Sequence, residues 1–294
     1  MPNGILIIDK PAGWTSMDVC AKLRGIFHEK RVGHGGTLDP MATGVLPVFV
    51  GRATRAVEFA ENSDKEYVAG LRLGLVTNTQ DATGETLEER EALVTGEALE
   101  AALARFRGEI AQVPPMYSAV KINGKKLYEL ARKGKEVERK PRSVTIHALE
   151  LLGRPEAGED FQLRVRCSKG TYVRTLCHDI GQALGCGGAM SSLRRTRTAG
   201  FTQAEAVPLE VVQAAADRGE SLLLPVDEFF TRNGWAEKTV VSPAAERVLR
   251  NGGTAICPGG TAACRVYSQD GTFLGLGDND GGRLRLAKSF YEVP

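Results

Sequence analysis

Asp39 is the residue of this chain whose surroundings most suggest chemistry, because it lies in the glycine-rich stretch 33–44 (GHGGTLDPMATG). Glycine and proline predict irregular backbone that can approach a ligand closely. The position before Pro40 restricts the backbone to extended conformations, so the carboxylate is aimed rather than free. Such a group could act on a flat substrate as a nucleophile or a base. Taken alone, an aspartate before a proline in a glycine-rich loop is more often a simple turn former.

Composition places the chain among ordinary folded proteins, and 294 residues leave room for one large domain and one small one. The net charge of +2 is too small to indicate a polyanionic partner. Its distribution says more, since residues 121–142 hold nine Lys or Arg against three acids, whereas residues 81–100 hold seven acids against one Arg. A basic segment that includes Tyr128 suits contact with a phosphate backbone, although charge runs are often only solvated faces.

The six cysteines form no CxxC pair, and His178 beside Cys177 has no partners at zinc spacing. We therefore expect no metal, and scattered free thiols are typical of the reducing cytoplasm. The apolar run 5–8 is short and leads into Asp9, so neither a signal peptide nor a membrane span is expected. No GxGxxG or GxxxxGK[ST] pattern is present, so no nucleotide cofactor is expected either.

Periodic patterns indicate the elements that would hold the Asp39 loop in place. Alternating or continuous apolar residues predict strands, and spacing of three to four residues predicts helices. Thr15 or Ser16 could cap the first helix. The predicted strands are 5–8, 45–50, 67–73, 144–152 and 161–167, and the predicted helices are a first one containing Val19, Leu23, Ile26 and Phe27, then 97–106 and 172–184. Residues 116–142 are predicted to form a long basic excursion on the surface. Excursions of this length are usually functional or disordered. From Trp235 a small β-rich module follows, with a helix at 240–249 and strands at 263–267, 272–277 and 283–287.

Five segments share the order and spacing of one known family: 9–16 (DKPAGWTS), 32–46 (VGHGGTLDPMATGVL), 65–67 (KEY), 113–121 (VPPMYSAVK) and 167–176 (CSKGTYVRTL). Together they closely resemble the bacterial tRNA pseudouridine synthase B (TruB) family. The resemblance covers essentially the whole chain. It implies an α+β pseudouridine-synthase fold, a mixed and largely antiparallel sheet flanked by helices, as a catalytic domain over residues 1–232. It also implies a C-terminal PUA-like RNA-binding module over 235–294, although that module carries little net basic charge.

The activity implied by this resemblance is isomerisation of the uridine at tRNA position 55, in the T arm, to pseudouridine. Uracil must leave the ribose at its N1–C1′ bond, rotate and rejoin through C5, without redox change or group transfer and hence without a cofactor. A carboxylate can start this as a nucleophile at C1′ or at C6, or as a base at C2′. The sequence leaves these three routes open. An enzyme acting on a base inside folded RNA must first extrude it.

The resemblance also implies roles for individual residues. Asp39 would be the initiating carboxylate, and Arg174 would pair with it through a planar guanidinium. Tyr67 would stack on the target base near C5, where a proton must leave, and Leu193 would pack on the same base. An unperturbed phenol has a pKa of about 10, so a role as base would need local tuning. His34 would occupy the place that the extruded base has left.

Substrate binding is implied for the basic excursion 116–142, which aligns with an insertion that clamps the T stem-loop through phosphate contacts. Its candidate contacts are Lys121, Lys125, Lys126 and Arg132. Lys10, in the first motif, is expected near the site, either contacting RNA or supporting the fold.

The expected partner is the tRNA T stem-loop, bound by a monomer with no membrane contact and no obligate protein partner. One alternative is a tRNA-binding or tRNA-folding chaperone whose isomerase activity is dispensable. Another is a guide-RNA-dependent synthase of the dyskerin branch, which shares the aspartate loop. The clamp-like insertion favours recognition of tRNA without a guide RNA.

Overall fold

The computed structural model of the protein describes residues 2–122, 124–153, 160–259 and 261–291. Two β-sheets organise the chain, a large one up to residue 202 and a smaller one after residue 236. The first part contains β1 (Gly4–Lys10), α1 (Ser16–Phe27), β2 (Val32–His34), β3 (Thr43–Val50), α2 (Val57–Glu61), β4 (Lys65–Leu73), β5 (Leu75–Thr77), β6 (Thr86–Glu89), α3 (Gly96–Ala104), β7 (Gly108–Gln112), β8 (Lys121–Ile122), β9 (Lys125–Lys126), α4 (Leu127–Ala131), β10 (Arg142–Leu151), β11 (Phe161–Cys167), α5 (Val173–Ala183), β12 (Gly188–Thr198), β13 (Phe201–Thr202), α6 (Leu209–Asp217) and α7 (Asp227–Arg232). The second contains β14 (Glu237–Val240), α8 (Pro243–Arg250), β15 (Ala255–Ile256), β16 (Ala263–Tyr267), β17 (Phe273–Asp280) and β18 (Arg283–Ser289).

The large sheet is mixed but mostly antiparallel. Its strand order is β1-β3-β12-β4-β11-β10-β7, with β2 on β3 and β13 on β12. Within this sheet, only the short β3–β12 contact is parallel among the described pairings. This contact places the end of the glycine-rich loop beside the middle of β12, at Arg194 opposite Thr43. The predicted α+β class is confirmed.

Alternation along β4 explains how the central strand faces its core. Tyr67, Ala69 and Leu71 are buried on one face, as the sequence pattern predicts. That face packs against α3 and α5 in one hydrophobic cluster that contains Leu99 and Leu176. Burying such side chains supplies the main favourable contribution to folding. The elements that carry Tyr67 and α5 therefore belong to one core.

A second cluster holds α1 and α6 against β1 and β3. The helix α1 starts at Ser16 because Thr15 caps it, accepting a hydrogen bond from the Asp18 amide while the Asp18 carboxylate accepts one from the Thr15 amide. The predicted cap and the buried positions Val19 and Leu23 are confirmed.

The long strand β12 was not predicted from the sequence. Its register against β4 shifts twice, between Met190 and Ser192 and between Arg195 and Arg197. Such bulges interrupt the alternation of apolar and polar residues that would reveal a strand. It nevertheless lies between β3 and β4, where it joins the two halves of the sheet.

The C-terminal module is a five-stranded PUA-like sheet of order β14-β16-β17-β18-β15. It packs on the first part of the chain through aromatic rings, with Phe290 5.4 Å and Phe273 5.9 Å from the Phe230 ring centroid. The predicted helix at 240–249 is shorter, since residues 237–240 form β14, and Ser242 caps α8 with Pro243 in its first turn. Among the described residues, no helix is long and apolar enough to cross a membrane.

Candidate active site

The carboxylate of Asp39 and the guanidinium of Arg174 form an ion pair, with Nε 3.0 Å from Oδ2. Asp39 lies in the loop between β2 and β3, and Arg174 lies in the first turn of α5. The Asp39 side chain is 37% exposed and that of Arg174 only 7%. The arginine is thus fixed within the protein while the carboxylate opens toward solvent. The pairing expected from the resemblance is present in the structure.

Arg174 is held by further acceptors besides Asp39. Its Nη1 lies 3.5 Å from Asp81 Oδ2 and donates to the Thr79 carbonyl at 3.2 Å, while its Nη2 donates to the Tyr117 carbonyl at 2.9 Å. A guanidinium with several fixed acceptors loses most of its freedom to rotate. The direction from which Arg174 approaches Asp39 is therefore set by two further segments of the chain, residues 79–81 and Tyr117.

Asp81 is a buried member of this site that the sequence analysis missed. Its Oδ1 accepts hydrogen bonds from the Thr83 amide at 3.0 Å, the Thr83 hydroxyl at 2.6 Å and the Thr79 hydroxyl at 2.9 Å. In the sequence it is one acid at the head of an acidic run, which gives no sign that it is buried. Only the fold, which brings residues 79–83 to α5, reveals that role.

Opposing influences act on the pKa of Asp39. Burial raises it most, the Arg174 charge lowers it, and the Asp81 charge raises it again. The net result is a pKa above that of an ordinary aspartate. Such a carboxylate is more basic than one in water, which suits a base or a nucleophile.

Lys10 supports the loop that carries Asp39. It is fully buried at the end of β1, and its ammonium donates to three carbonyls, those of Pro11 at 2.9 Å, Pro40 at 3.2 Å and Ala42 at 2.6 Å. Burial lowers the pKa of Lys10 to about 8. An ammonium engaged in this way is not displayed to a ligand in this structure, which favours fold support among the two roles left open.

Tyr67 lies on β4 opposite Arg195 on β12, and it belongs to the same hydrophobic cluster as Leu38 and Ala42 of the Asp39 loop. Tyr67 and Arg195 are both buried. Burial raises the pKa of Tyr67 to about 12, so its phenol keeps its proton at neutral pH. Leu193, two residues earlier on β12, is also buried and belongs to the core cluster of Tyr67.

Arg195 is a second site residue to which the sequence analysis assigned no role. Its Nε donates to the Val45 carbonyl at 2.7 Å and its Nη2 to the Gly36 carbonyl at 3.1 Å, so it joins both ends of the loop. Gly44 has φ +99°, and a Cβ there would lie 2.2 Å from the Arg195 carbonyl oxygen. The close approach of β12 therefore explains this glycine.

His34 ends β2, opposite Val48 on β3, and is half-buried. Its Nδ1 is buried and has no hydrogen-bond partner among the described residues. Burial lowers the pKa of His34, and the nearby Arg195 charge lowers it further. The imidazole is therefore neutral at physiological pH and can present a ring without carrying a charge.

The basic excursion folds as a small hairpin, β8–β9, followed by α4. Two of its cations lie against one ring, with Lys126 Nζ and Arg132 Cζ each 5.5 Å from the Tyr128 centroid. Lys121 and Lys125 are exposed on the hairpin. No contact joins these four cations to Asp39 in the described structure. The preceding Tyr117 carbonyl, which accepts from Arg174, connects this segment to the site.

No group of His, Cys, Asp and Glu that could hold a metal ion occurs within residues 2–122, 124–153, 160–259 and 261–291. The side chains described above are the Asp39 carboxylate, its partner Arg174 and the buried phenol of Tyr67.

Comparison with known proteins gives matches along most of the chain. The N-terminal domain of the TruB family pseudouridylate synthases matches residues 24–173, and the tRNA pseudouridylate synthase B C-terminal domain matches 174–231. The tRNA pseudouridine synthase B of Azoarcus sp. (strain BH72) is 46% identical over 96% of this chain and 93% of its own length. That of Clostridium kluyveri is 40% identical over 98% and 99%.

Solved structures agree with these relatives. A chain in the crystal structure of a Cbf5-Nop10-Gar1 complex has a TM-score of 0.72 at 27% identity, covering 98% of this chain and 85% of its own. A chain in a structure of an H/ACA RNP bound to a substrate RNA gives a TM-score of 0.73 at 25% identity, with coverages of 98% and 85%. The pseudouridine-synthase fold expected from the five motifs is thereby confirmed. Because both family models match, together over residues 24–231, and relatives at this identity align along nearly their full length, the chain belongs to the TruB family of pseudouridylate synthases and is an isomerase.

Proposed function

We propose that this chain converts the uridine at position 55, in the T arm of tRNAs, to pseudouridine, without a guide RNA or a protein partner. Family membership supplies the reaction, since relatives named tRNA pseudouridine synthase B match most of the chain. The observation that carries the proposal is the ion pair between the partly exposed Asp39 and the buried Arg174, which also pairs with the buried Asp81. The same proposal assigns roles to individual residues and a clamping role to the basic excursion. It also divides the chain into a catalytic domain over 1–232 and an RNA-binding module over 235–294.

Asp39 starts the reaction in this proposal. Its carboxylate is partly open to solvent and more basic than usual, and Arg174 fixes its direction. The N1–C1′ bond breaks, the C5–C1′ bond forms, the proton on C5 leaves to water and N1 gains a proton. Atoms and charge balance without a cofactor. Attack at C1′, attack at C6 and proton abstraction at C2′ are all compatible with this geometry.

Tyr67 and Leu193 receive the uracil ring. Because burial raises the pKa of Tyr67 to about 12, we assign the phenol a packing and orienting role in the resting enzyme rather than that of a ready base. The positive charge of Arg195, which lowers the pKa of Tyr67 against the larger effect of burial, is the local feature that would favour a phenolate if the proton left during the reaction.

His34 and the basic excursion hold the RNA. The neutral, half-buried imidazole of His34 is suited to stack in the place of the extruded base. The cations Lys121, Lys125, Lys126 and Arg132 are suited to phosphate contacts that position the stem without reading its bases. A substrate shared by many tRNAs requires this kind of recognition by shape and backbone.

The test uses purified protein, unmodified tRNA transcripts and no cofactor or guide RNA. Pseudouridine is mapped by carbodiimide adducts that stop reverse transcription. We expect a single stop at position 55 in wild-type reactions, also in an isolated T stem-loop, and none when that uridine is replaced by cytidine. Stops elsewhere in the tRNA, or a requirement for added RNA or protein, would refute the proposed substrate. Position-55 modification by the Asp39→Ala variant would refute the assigned carboxylate.

A further inference from the structure

The turn before α1 carries an exposed tryptophan, Trp14, next to the catalytic loop, residues 35–42. Trp14 is 37% exposed, and Met17, the second residue of α1, is 52% exposed. The segment 9–16 belongs to the family motifs, yet nothing in the proposed chemistry uses the indole. An exposed tryptophan by itself needs no explanation. Its attachment to the loop of Asp39 is what sets this one apart.

Hydrogen bonds on both sides of Trp14 tie the turn to the catalytic loop. The Gly13 amide donates to the Pro40 carbonyl at 2.8 Å, and the Leu38 amide donates to the Ser16 hydroxyl at 2.9 Å. Since Gly13 precedes Trp14 directly, the Cα atoms of Trp14 and Pro40 lie within about 11 Å of each other. Neighbouring nucleotides of one RNA strand can cover that distance.

The turn that carries Trp14 is fixed in shape. The capping box of α1 begins at the next residue, with the Asp18 carboxylate accepting from the Thr15 amide at 2.8 Å and from its hydroxyl at 2.7 Å. An indole on a fixed support loses little conformational entropy when a ligand stacks on it. The fold therefore already restricts the backbone that carries this ring before any ligand binds.

The other tryptophan of the chain gives an internal comparison. Trp235 is equally exposed at 37%, but its ring packs edge-on against Phe59 at 5.0 Å and Phe230 at 6.0 Å. Trp235 therefore has a structural explanation in the aromatic cluster. Among the described residues, no aromatic ring and no cation contacts Trp14.

We propose that the indole of Trp14, with Met17 beside it, is a stacking platform for an unpaired nucleobase of the substrate RNA next to the uridine that enters the site. This inference rests on the proposed function, because it needs an RNA loop bound over Asp39. Unstacked bases of RNA loops are held mainly by aromatic side chains. Each such contact is worth about 1–3 kcal/mol by alanine substitution, which is about a five- to 150-fold change in affinity.

The experiment labels the protein with 5-fluorotryptophan in the Asp39→Asn background, so that the bound RNA stays unreacted. The chain has two tryptophans, so two fluorine resonances are expected, and Trp14→Phe identifies which one belongs to Trp14. On adding an unmodified T stem-loop RNA, the Trp14 resonance should shift while the Trp235 resonance stays. Anisotropy of a labelled RNA measures binding in the same sample.

Affinity measurements complete the test. Trp14→Ala should weaken binding about tenfold, whereas Trp14→Phe and the matched control Trp235→Phe should stay within about twofold of the parent. Bound RNA with an unmoved Trp14 resonance, or equal shifts of both resonances, would overturn the platform and leave the proposed function standing. Absence of RNA binding by the parent would overturn the proposed function itself, and the platform with it.

Discussion

The catalytic loop (residues 35–42) and the basic excursion (residues 116–142), an insertion in the chain, both contain glycine, but the protein holds them in opposite ways. Loop atoms bond to residues distant in sequence, as when the Gly35 amide donates to the Pro47 carbonyl and Lys10 donates to Ala42. The insertion bonds mostly to itself, as when the Leu127 amide donates to the Val120 carbonyl. Bond-making chemistry needs atoms fixed within fractions of an ångström, whereas phosphate contacts tolerate movement. We therefore predict that substitutions around the catalytic loop lower the reaction rate, whereas substitutions in the insertion weaken RNA binding.

Loss of Arg174 should have the largest effect. Arg174→Met removes the partner of Asp39 and leaves Asp81 buried without its cation. We expect the single-turnover rate to fall about 100-fold because the carboxylate is no longer oriented. Breaking a buried pair should also lower the free energy of unfolding, by about 3 kcal/mol. Tritium release from C5-labelled uridine and urea unfolding measure the two effects.

A matched control for Arg174 is Arg164→Met, which breaks an exposed pair with Glu150 on the same sheet. Rate and stability should both stay at wild-type values, since exposed ion pairs contribute little. Equal losses of rate and stability in the two variants would show that the Arg174 ion pair contributes no more than an exposed one.

Lys10→Met should have an intermediate effect and should decide between the two roles left open for this lysine. The variant removes a charged donor from three carbonyls, two of them in the catalytic loop. We expect the rate at saturating RNA to fall about tenfold through a displaced Asp39, with the dissociation constant unchanged. Titration under single-turnover conditions separates the two quantities. A weaker dissociation constant with a normal maximal rate would identify Lys10 as an RNA contact.

Changes in the insertion should alter binding alone, and more modestly. Replacing Lys125 and Lys126 together by alanine should weaken RNA binding several-fold at physiological salt. It should also reduce the slope of log K against log[salt] by about 0.7–0.9 for each phosphate that is no longer neutralised. The control Lys22→Ala changes an exposed lysine in the groove between α1 and α6. A fall in the maximal rate without a change in slope would contradict a purely binding role.

The smallest effect at neutral pH concerns the ionisation of Asp39. Its carboxylate is the active form, so the rate should fall as pH drops through its pKa, and burial raises that pKa above the ordinary aspartate value. The acid limb of the pH–rate profile should therefore lie higher than for an exposed aspartate. The Arg174 charge lowers this pKa, so Arg174→Met, which removes the charge, should move the limb to higher pH. A shift to lower pH would contradict the assigned charge balance.

The sequence predicted those elements whose periodicity is undisturbed. The strands that became β4 and β11 alternate cleanly, and α5 carries its apolar face at helical spacing, so their positions agree with the structure to within two residues. The strand β12 has two bulges and a run of polar residues, which removed the signal. Its place in the middle of the sheet is set by its partners and not by its own pattern.

The residues of the candidate site also divide into those with a local sequence signal and those placed by distant contacts. Asp39, Arg174 and Tyr67 were identified through motifs, and the structure brings Asp39 and Arg174 into direct contact. Asp81 and Arg195 were assigned no role, because charged residues are expected at the surface, whereas both are buried and contact residues distant in sequence, Arg174 and Val45 respectively. Long-range contacts of this kind leave no local trace in the chain.

The most direct test of separate catalysis and binding is a paired measurement on Asp39→Asn. The variant keeps the size and hydrogen-bonding reach of the side chain but removes its charge. Binding of an unmodified T stem-loop and tritium release from its C5-labelled target uridine are followed in the same sample, beside wild type. We predict a dissociation constant within about threefold of wild type, because phosphate and stacking contacts lie elsewhere, together with no release beyond the uncatalysed background. Release at a rate comparable to wild type, or loss of binding along with loss of release, would contradict the division between a fixed catalytic loop and a separate RNA-binding surface.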